Sequence, residues 1–349
     1  MSVRSIAKNI VFTPMWTASI FTGAKSFRDN PVLASPRLNK MGLHRKRMEW
    51  AAAQTLARRR GLKHLISSEH QEKLDRDGYV VIRDVLPNEQ FEQLRREIEN
   101  TEFPAYENRQ GDTVNRFCSI PTSMLETLPN LRRFIKAPLF RGLIQYASSF
   151  EHDPMFNLNT VITEPGSGHN DPNTMLHSDT FYSVGKGWFF LRDVALEDGP
   201  FSFVPGSHKP TKARLEWEQE MSIGAAADAV PLNTIGSFRA DISDVHAMGY
   251  PDPVPLVVPA NSLVVADTHG FHARCRSERP SVRLAIYGSL RSNPFVPFTG
   301  LDPFYLPGLK GKKADFLNFY RTAEARVMGR RHEQPYVGLV KPGAPAICS

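Results

Sequence analysis

A histidine and an aspartate two positions apart, His177 and Asp179, lie near the middle of the chain. On an extended strand, side chains two positions apart point to the same side, so this imidazole and carboxylate would converge. Such a pair, joined by one further histidine, suits Fe(II) and leaves coordination positions open for a substrate and dioxygen. The pair alone is a weak signal, because a surface His and Asp in a loop give the same spacing by chance. The hypothesis therefore depends on a second histidine from elsewhere in the chain.

The second histidine has four downstream candidates, namely His208, His246, His269 and His272. The last two lie in the segment DTHGFHAR, which directly follows a predicted strand, and Arg283 stands eleven residues after His272 on the next one. His208 closes a Pro-Gly-Ser-His turn, where a histidine more often shapes the turn than binds a metal. His246 is equally compatible with a pocket entrance or a solvated loop. Spacing alone leaves the choice between His269 and His272 open.

The elements that must position these side chains follow from apolar periodicity and turn residues. Strands are predicted at 79–82, 156–164, 186–194, 201–204, 262–266 and 282–290. Helices are predicted at 37–65, from 68 to 74, from 87 to 100, at 211–221 and at 314–331, with loop and helix over 101–155 and irregular structure over 222–255. Short strands between Gly- and Pro-rich turns, with helices before and after them, predict an α+β fold around a closed or double β-sheet.

The positive charge of the chain is concentrated at its N-terminus. Of 43 Lys and Arg residues, 13 precede residue 67, against only Asp29 and Glu49, so the remainder is slightly acidic. The helix predicted at 37–65 carries an apolar stripe of Leu38, Met41, Met48, Ala52 and Leu56 among its arginines. Residues 1–66 are therefore expected to form a basic, partly helical arm, which could touch a membrane surface or pack its stripe on the body. Nucleic-acid binding is not expected, since no recognisable module accompanies the charge.

The three cysteines, Cys118, Cys275 and Cys348, are far apart and form no CxxC pair. This argues against a disulfide framework or a zinc site and fits a reducing compartment. The first apolar stretch, 10–24, is too short and too interrupted to span a bilayer. A cytoplasmic protein, with membrane association through residues 1–66 left open, is therefore expected.

Three separate elements resemble the phytanoyl-CoA dioxygenase family of Fe(II)/2-oxoglutarate oxygenases. They are DGYVVIRDVL at 77–86, His177-x-Asp179 followed by Trp188, Gly199-Pro200 and the PGSH at 205–208, and GFH at 270–272 with Arg283. The resemblance extends over roughly residues 67–292. It implies a double-stranded β-helix (jelly-roll) core over 67–292 with flanking helices. Residues 293–349 are then expected to pack on the same domain as a C-terminal helix and tail.

The resemblance also implies roles for individual residues. His177, Asp179 and His272 would bind Fe(II), and Arg283 would hold the distal carboxylate of 2-oxoglutarate with its planar, permanently charged fork. Thr163, with Asn157 and Asn159 as alternatives, could offer a hydrogen bond to 2-oxoglutarate. Trp188 is expected beside the cosubstrate, although core packing would explain it equally well. His269 becomes a residue near the site or a loop histidine.

The implied reaction is hydroxylation of an aliphatic C–H by dioxygen and 2-oxoglutarate, with release of succinate and CO2. Desaturation, cyclisation or epimerisation at the same metal site is an alternative, because the pose of the substrate decides the outcome. A jelly-roll binding protein without catalysis is a further alternative, against which the intact set of metal ligands and Arg283 argues. The expected substrate is a small or lipid-like metabolite, and its identity does not follow from the sequence.

Overall fold

Two antiparallel sheets form the centre of the molecule in a computed structural model, which describes residues 13–169, 171–302 and 334–348. The strands are β1 (Tyr79–Ile82), β2 (Phe103–Gln110), β3 (Thr113–Ser119), β4 (Met155–Thr163), β5 (Gly185–Phe190), β6 (Phe201–Phe203), β7 (Val254–Pro255), β8 (Ser262–Asp267), β9 (His272–Arg274), β10 (Ser281–Leu290) and β11 (Tyr336–Val340). The large sheet has the order β1-β8-β5-β10-β4-β3-β2-β11, and the small sheet has the order β7-β6-β9. This mixed architecture is consistent with the expected jelly-roll core.

The α-helices lie before, between and after these strands. They are α1 (Pro36–Lys40), α2 (Leu43–Gly61), α3 (Ser68–Asp77), α4 (Asn88–Asn100), α5 (Pro129–Lys136), α6 (Pro138–Ser148), α7 (Lys212–Gly224), α8 (Pro231–Thr234) and α9 (Ile242–Ala247). Ser67 caps the N-terminus of α3, because its hydroxyl accepts a hydrogen bond from the backbone N–H of His70. The C-terminal helix predicted at 314–331 lies outside the described residues.

Alternation along the strands divides the large sheet into two faces. On β5, Phe189 is fully buried against the rings of Phe91 and Phe134, which belong to α4 and α5. Its neighbours Trp188 and Phe190 point the other way, towards a cavity on the opposite face of the sheet. One face therefore packs against helices in the main hydrophobic core, and the other is available for a site.

The segment predicted as loop and helix over 101–155 contains helices α5 and α6, but its first part is a β-hairpin that was not predicted. β2 and β3 are joined through Gly111, whose φ of +64° favours glycine, and they pair from Gln110–Thr113 back to Ala105–Cys118. The sequence does not alternate between apolar and polar in the usual way, because polar side chains such as Asn108 and Asn115 point into the cavity. The prediction of irregular structure over 222–255 was also incomplete, since α8 and α9 lie there.

The helix predicted at 37–65 is divided into α1 and α2 by Gly42, whose φ is +89°. Its predicted apolar stripe is wrong in part: Met48 is buried, but Met41 is 68% exposed and Leu56 is 63% exposed. The inward face instead combines Met48 and Ala51 with three buried arginines, Arg47, Arg58 and Arg59.

These buried arginines bind groups of the molecule itself. Arg47 donates to the backbone oxygens of Ile20, Thr22 and Ala24, so it holds the preceding segment against α2. Arg58 donates to Ser149 and to the backbone oxygens of Pro294 and Val296. A guanidinium has five donors, and backbone carbonyls offset much of the cost of burying it. Much of the basic charge of residues 1–66 is therefore used inside the fold.

The N-terminal helices pack on α7 through a chain of buried polar groups. His44 on α2 lies 3.0 Å from Glu218 on α7, and Glu218 pairs with Arg214 at 2.9 Å. Arg214 donates to the backbone oxygen of His269 at 2.8 Å. The N-terminal segment is thus connected through α7 to the loop that precedes β9.

The C-terminal residues close the outer edge of the large sheet. β11 pairs with β2, from Tyr336–Tyr106 to Val340–Phe103. Arg116 and Glu107 form a fully buried ion pair of 2.5 Å, and the second oxygen of Glu107 accepts from the backbone N–H groups of Ile347 and Cys348. No helix among the described residues is long and apolar enough to cross a membrane.

Candidate metal centre

Backbone pairing brings His177 and Asp179 next to His272. The backbone N–H groups of His177 and His272 each donate to the carbonyl oxygen of the other residue, at 2.9 and 3.0 Å, and the N–H of Asp179 donates to the oxygen of Thr268 at 3.1 Å. The candidate ligand atoms of the three side chains all lie within 4.8 Å of one another. Paired residues on adjacent strands point to the same face, which explains the convergence.

Both imidazoles are held in the form that a metal requires. Nδ1 of His177 lies 2.8 Å from the carbonyl oxygen of Met175, and Nδ1 of His272 lies 2.8 Å from that of Gly270. Each Nδ1 must carry the proton to donate to these carbonyls, which leaves the lone pair on Nε2. Burial, aided by the neighbouring His272, lowers the pKa of His177, and burial lowers the pKa of His272, so both rings are neutral. This donor set fits Fe(II).

Asp179 faces a lysine that the sequence analysis did not single out. Nζ of Lys186, on β5, lies 2.6 Å from Oδ2 of Asp179, and the same oxygen lies 3.7 Å from Nε2 of His272. Burial would raise the pKa of Asp179, but Lys186 and the two imidazoles outweigh it and hold this pKa well below the usual range. The aspartate is therefore an anion, ready to bind a cation. Lys186 lies two positions before Trp188, so strand alternation alone would have placed it in the site.

Lys25, from the N-terminal segment, also reaches the centre. Its Nζ donates to the backbone oxygen of Asp179 at 2.7 Å. Burial lowers the pKa of Lys25 to about 8, although the charge of Asp179 acts in the opposite direction. The segment expected to be a peripheral arm therefore contributes a side chain that fixes the backbone of a metal-ligand candidate.

Substitution of Lys25 by Met is expected to weaken metal binding about tenfold, the lower end of the effect of losing a group that orients a ligand. Titration of the purified protein with Fe(II) under anaerobic conditions, followed by calorimetry, measures it. Lys25→Arg should recover part of the affinity, and Lys46→Met, at an exposed position of α2, is the matched control. Equal affinities for Lys25→Met and Lys46→Met would contradict a positioning role.

The two other buried histidines near this centre have different surroundings. Nδ1 of His269 lies 2.9 Å from the carbonyl oxygen of Thr180, and burial lowers its pKa to about 4. His208 lies against Gly78, where an added Cβ would be 2.5 Å from its Nδ1, and burial lowers its pKa to about 3. Neither belongs to the three-residue group that could hold a metal among the described residues. His269 thus contacts the backbone at Thr180, and His208 packs against Gly78.

A cavity of about 320 Å³ opens beside the three residues. It is lined on one side by the inward faces of β2, β3, β4, β5 and β10 and on the other by residues of β6 and β9. Arg283 on β10 reaches this cavity and is buried. Within the described part of the chain its Nε has no hydrogen-bond partner, and burial, aided by Arg274, lowers its pKa to about 9. A buried guanidinium without an anion is costly, so an anionic ligand would stabilise it.

The other predicted residues divide between cavity and surroundings. Trp188 lines the cavity, and so does Arg274, which forms an ion pair with Asp171. Thr163 is buried on β4 beside Thr113, with their hydroxyl oxygens 3.3 Å apart, and does not line the cavity. His246 is exposed and pairs with Asp252 at 2.9 Å, away from the centre.

Comparison with known proteins places a family match over the centre of the chain. Residues 74–233 match the family model described as Phytanoyl-CoA dioxygenase (PhyH). No curated protein matches the chain.

Weak similarity to solved structures is also found. The epimerase SnoN in complex with Fe3+, alpha ketoglutarate and nogalamycin RO is 19% identical, with a TM-score of 0.41 over 70% of this chain and 93% of that one. The carbocyclase SnoK from nogalamycin biosynthesis is 20% identical, with a TM-score of 0.38 over 65% and 84%. HygX from Streptomyces hygroscopicus, with nickel and 2-oxoglutarate bound, is 15% identical, with a TM-score of 0.40 over 70% and 94%.

Proposed function

We propose that this chain, which belongs to the phytanoyl-CoA dioxygenase family through residues 74–233, hydroxylates an aliphatic C–H of a small molecule. It is an Fe(II)- and 2-oxoglutarate-dependent dioxygenase, and hydroxylation is one of the reactions open to such a site. The observation that carries the proposal is the cluster of His177, Asp179 and His272 beside a cavity that also contains the buried Arg283, whose Nε has no hydrogen-bond partner in the described part of the chain. When bound, iron would supply the oxidising chemistry with dioxygen as the oxidant: one oxygen atom would enter succinate as 2-oxoglutarate loses CO2, and the other would enter the hydroxyl group of the product.

The three candidate ligands would hold the metal on one face. Because the protein would supply only three ligands, 2-oxoglutarate and dioxygen could bind the metal as well. The carbonyls of Met175 and Gly270 fix the imidazole orientations, and Lys25 fixes the backbone of Asp179. Lys186 neutralises Asp179 before a metal binds, and it remains a positive charge at the cavity wall afterwards.

Arg283 would bind the distal carboxylate of 2-oxoglutarate. Its position on the inward face of β10, its burial and its unpaired Nε support this assignment. A guanidinium can meet a carboxylate with two charge-assisted hydrogen bonds. Trp188 lines the same cavity and would contact the cosubstrate, whereas Thr163 is not among the lining residues and is not assigned this role.

Replacing Arg283 by Leu is expected to weaken 2-oxoglutarate binding by roughly 100-fold, the upper range for hydrogen bonds to a charged group. Anaerobic calorimetry of 2-oxoglutarate with the Fe(II)-loaded protein measures the dissociation constant. Iron binding should change little, because Arg283 is not among the candidate ligands. Arg276→Leu, at an exposed position before β10, is the matched control. An unchanged dissociation constant in Arg283→Leu would assign the anchor to another residue.

A lipid-like substrate and contact with a membrane surface remain predictions, and the structure removes part of the support that the sequence provided for them. Both depended on the basic charge of residues 1–66, and the structure uses Arg47, Arg58 and Arg59 of this segment inside the fold. A cytoplasmic location stays a prediction from the scattered, unpaired cysteines.

A further inference from the structure

Amide side chains form the part of the cavity wall beyond Arg283. The paired register runs from Arg283 on β10 to Val161 on β4, then to Asn115 on β3 and Asn108 on β2. Neighbouring strands are about 4.8 Å apart, so the backbone of Asn115 lies roughly 10 Å from that of Arg283. Gln110 and Asn173 line the cavity next to these residues. We call Asn108, Gln110, Asn115 and Asn173 the amide wall.

Hydrogen bonds within the protein fix much of the amide wall. Oε1 of Gln110 accepts from Nδ2 of Asn115 at 3.2 Å and from Nδ2 of Asn173 at 2.8 Å. Oδ1 of Asn115 accepts from Arg274 at 2.8 Å. Because these groups already have partners, their orientation is set before a ligand enters.

The remaining hydrogen-bonding groups of the amide wall are unsatisfied within the described part of the chain. They are the whole amide of Asn108, Nε2 of Gln110 and Oδ1 of Asn173, for which the described residues provide no partner. The wall thus offers both donors and acceptors to the cavity. A hydroxyl group can donate and accept at once and matches such a mixed surface.

Charge at this end of the cavity is balanced without a ligand. Arg274 pairs with Asp171, and the four amides are neutral. Among the described residues that line the cavity, Arg283 and Lys186 are the remaining cations that an anionic group could meet, and both adjoin the metal centre. A hydrocarbon chain would fit worse, since it would displace water from these amide groups and leave them without hydrogen-bond partners.

Aromatic rings cover the wall next to the amides. Trp188 lies with its ring centroid 4.8 Å from that of Phe201 and 5.7 Å from that of Tyr287, and Phe117 lies 6.2 Å from Tyr287. These rings provide flat apolar surfaces against which the C–H face of a saturated ring can pack. The volume of about 320 Å³ is at the lower end of the usual range for ligand sites, roughly 300–1,000 Å³, and suits a compact group.

We propose that the amide wall and the adjacent aromatic rings bind a neutral polyhydroxylated ring, of the sugar or cyclitol class, as the part of the substrate that enters the cavity. This inference rests on the proposed function. It replaces the lipid-like substrate expected from the sequence with a hydrophilic one, and it makes Asn108 a specificity-determining residue.

The test measures succinate formed by the Fe(II)-loaded protein with 2-oxoglutarate and air, with and without added probes. The hydroxylated probes are methyl α-glucopyranoside, sucrose and myo-inositol, and the apolar probes are hexanoate and decanoate. At least one hydroxylated probe is expected to raise the rate several-fold and to gain one oxygen by mass spectrometry. Stimulation by the apolar probes alone, or by none of the probes, would overturn the inference.

Replacing Asn108 by Leu tests the role of this one residue. The side chain of Asn108 is half-buried and makes no hydrogen bond to the described residues, so its replacement removes no such bond. The KM of the active hydroxylated probe is expected to rise about tenfold, a typical loss for one or two hydrogen bonds. Gln93→Leu, an exposed amide on α4, should leave that KM as it is in the parent protein. An equal KM in the parent protein and Asn108→Leu would show that Asn108 does not bind the probe.

Failure of the substrate class and failure of the proposed function give different results. Succinate formation without any probe, combined with no response to hydroxylated probes, overturns only the substrate class. Absence of succinate under every condition, in protein that has been shown to contain iron, overturns the proposed function as well.

Discussion

Replacing His272 by Ala is expected to abolish 2-oxoglutarate turnover and to weaken Fe(II) binding by more than 100-fold. Loss of a group that only orients a ligand costs up to about 100-fold in affinity, and loss of the ligand itself costs more. His177→Ala and Asp179→Ala should behave in the same way, since the three side chains supply the converging atoms. Anaerobic Fe(II) titration and a succinate assay measure the two effects.

The same experiment decides between the two histidines that the sequence left open. His269→Ala is expected to retain stoichiometric iron, because its ring contacts the carbonyl oxygen of Thr180 and not the metal centre. Its thermal stability should fall, as a buried hydrogen bond is lost. His246→Ala, at an exposed site, is the control for loss of a histidine. Retained iron in His272→Ala, with loss in His269→Ala, would reverse the assignment.

Replacing Arg59 by Met is expected to lower the free energy of unfolding by about 3–5 kcal/mol, the cost of breaking a buried ion pair from one side. Arg59 lies 2.8 Å from Oδ2 of Asp267 and also donates to the backbone oxygens of Tyr146 and Ala147. The other oxygen of Asp267 accepts from the backbone N–H groups of Val184 and His269. The variant would therefore leave a buried carboxylate uncompensated at the start of the loop that leads to His272.

Chemical denaturation of Arg59→Met and of the parent protein measures this difference, and Arg60→Met, one residue later and exposed, is the control with an expected change within about 0.5 kcal/mol. Burial alone would raise the pKa of Asp267. The neighbouring Arg59, His208 and His269 outweigh this effect and hold the pKa of Asp267 below its usual range. The ionised carboxylate thus contributes stability above a pH of about 4, and this contribution is lost as the pH falls through the lower pKa of the folded state. Equal stability of the two variants would show that Asp267 does not depend on Arg59.

The convergence of His177 and Asp179 could be predicted because it depends on one local property, the alternation of side chains along an extended segment. The choice of His272 over His269 came from the resemblance, through the GFH string at 270–272 and the spacing of eleven residues from His272 to Arg283, and not from strand alternation. In the structure, the choice depends on which residue pairs with His177, and only the backbone hydrogen bonds between the two segments determine that. The position of Arg283 on a strand could be predicted from the sequence. The lack of a hydrogen-bond partner for its Nε among the described residues could not, because it depends on how distant strands pack.

The basic N-terminal segment shows why the charge of a side chain does not predict whether it is buried or exposed. Arg58, Arg59 and Arg60 are adjacent and chemically equivalent in sequence, yet the first two are buried and the third is exposed. The partners that permit burial, such as Ser149 and Asp267, are 91 and 208 residues away along the chain. The hairpin of β2 and β3 was missed for a related reason, since its polar residues face a cavity that is formed by distant strands.

The pairing of β11 with β2 has a consequence for how the protein is made. β2 carries Asn108 and Gln110, yet its outer neighbour is formed by residues 336–340, and Glu107 receives the N–H groups of Ile347 and Cys348. Residues 336–340 follow β2 by more than 200 positions in the chain, so the sheet edge next to the amide wall can be completed only after that intervening segment has been synthesised. Contacts over such sequence distances form slowly.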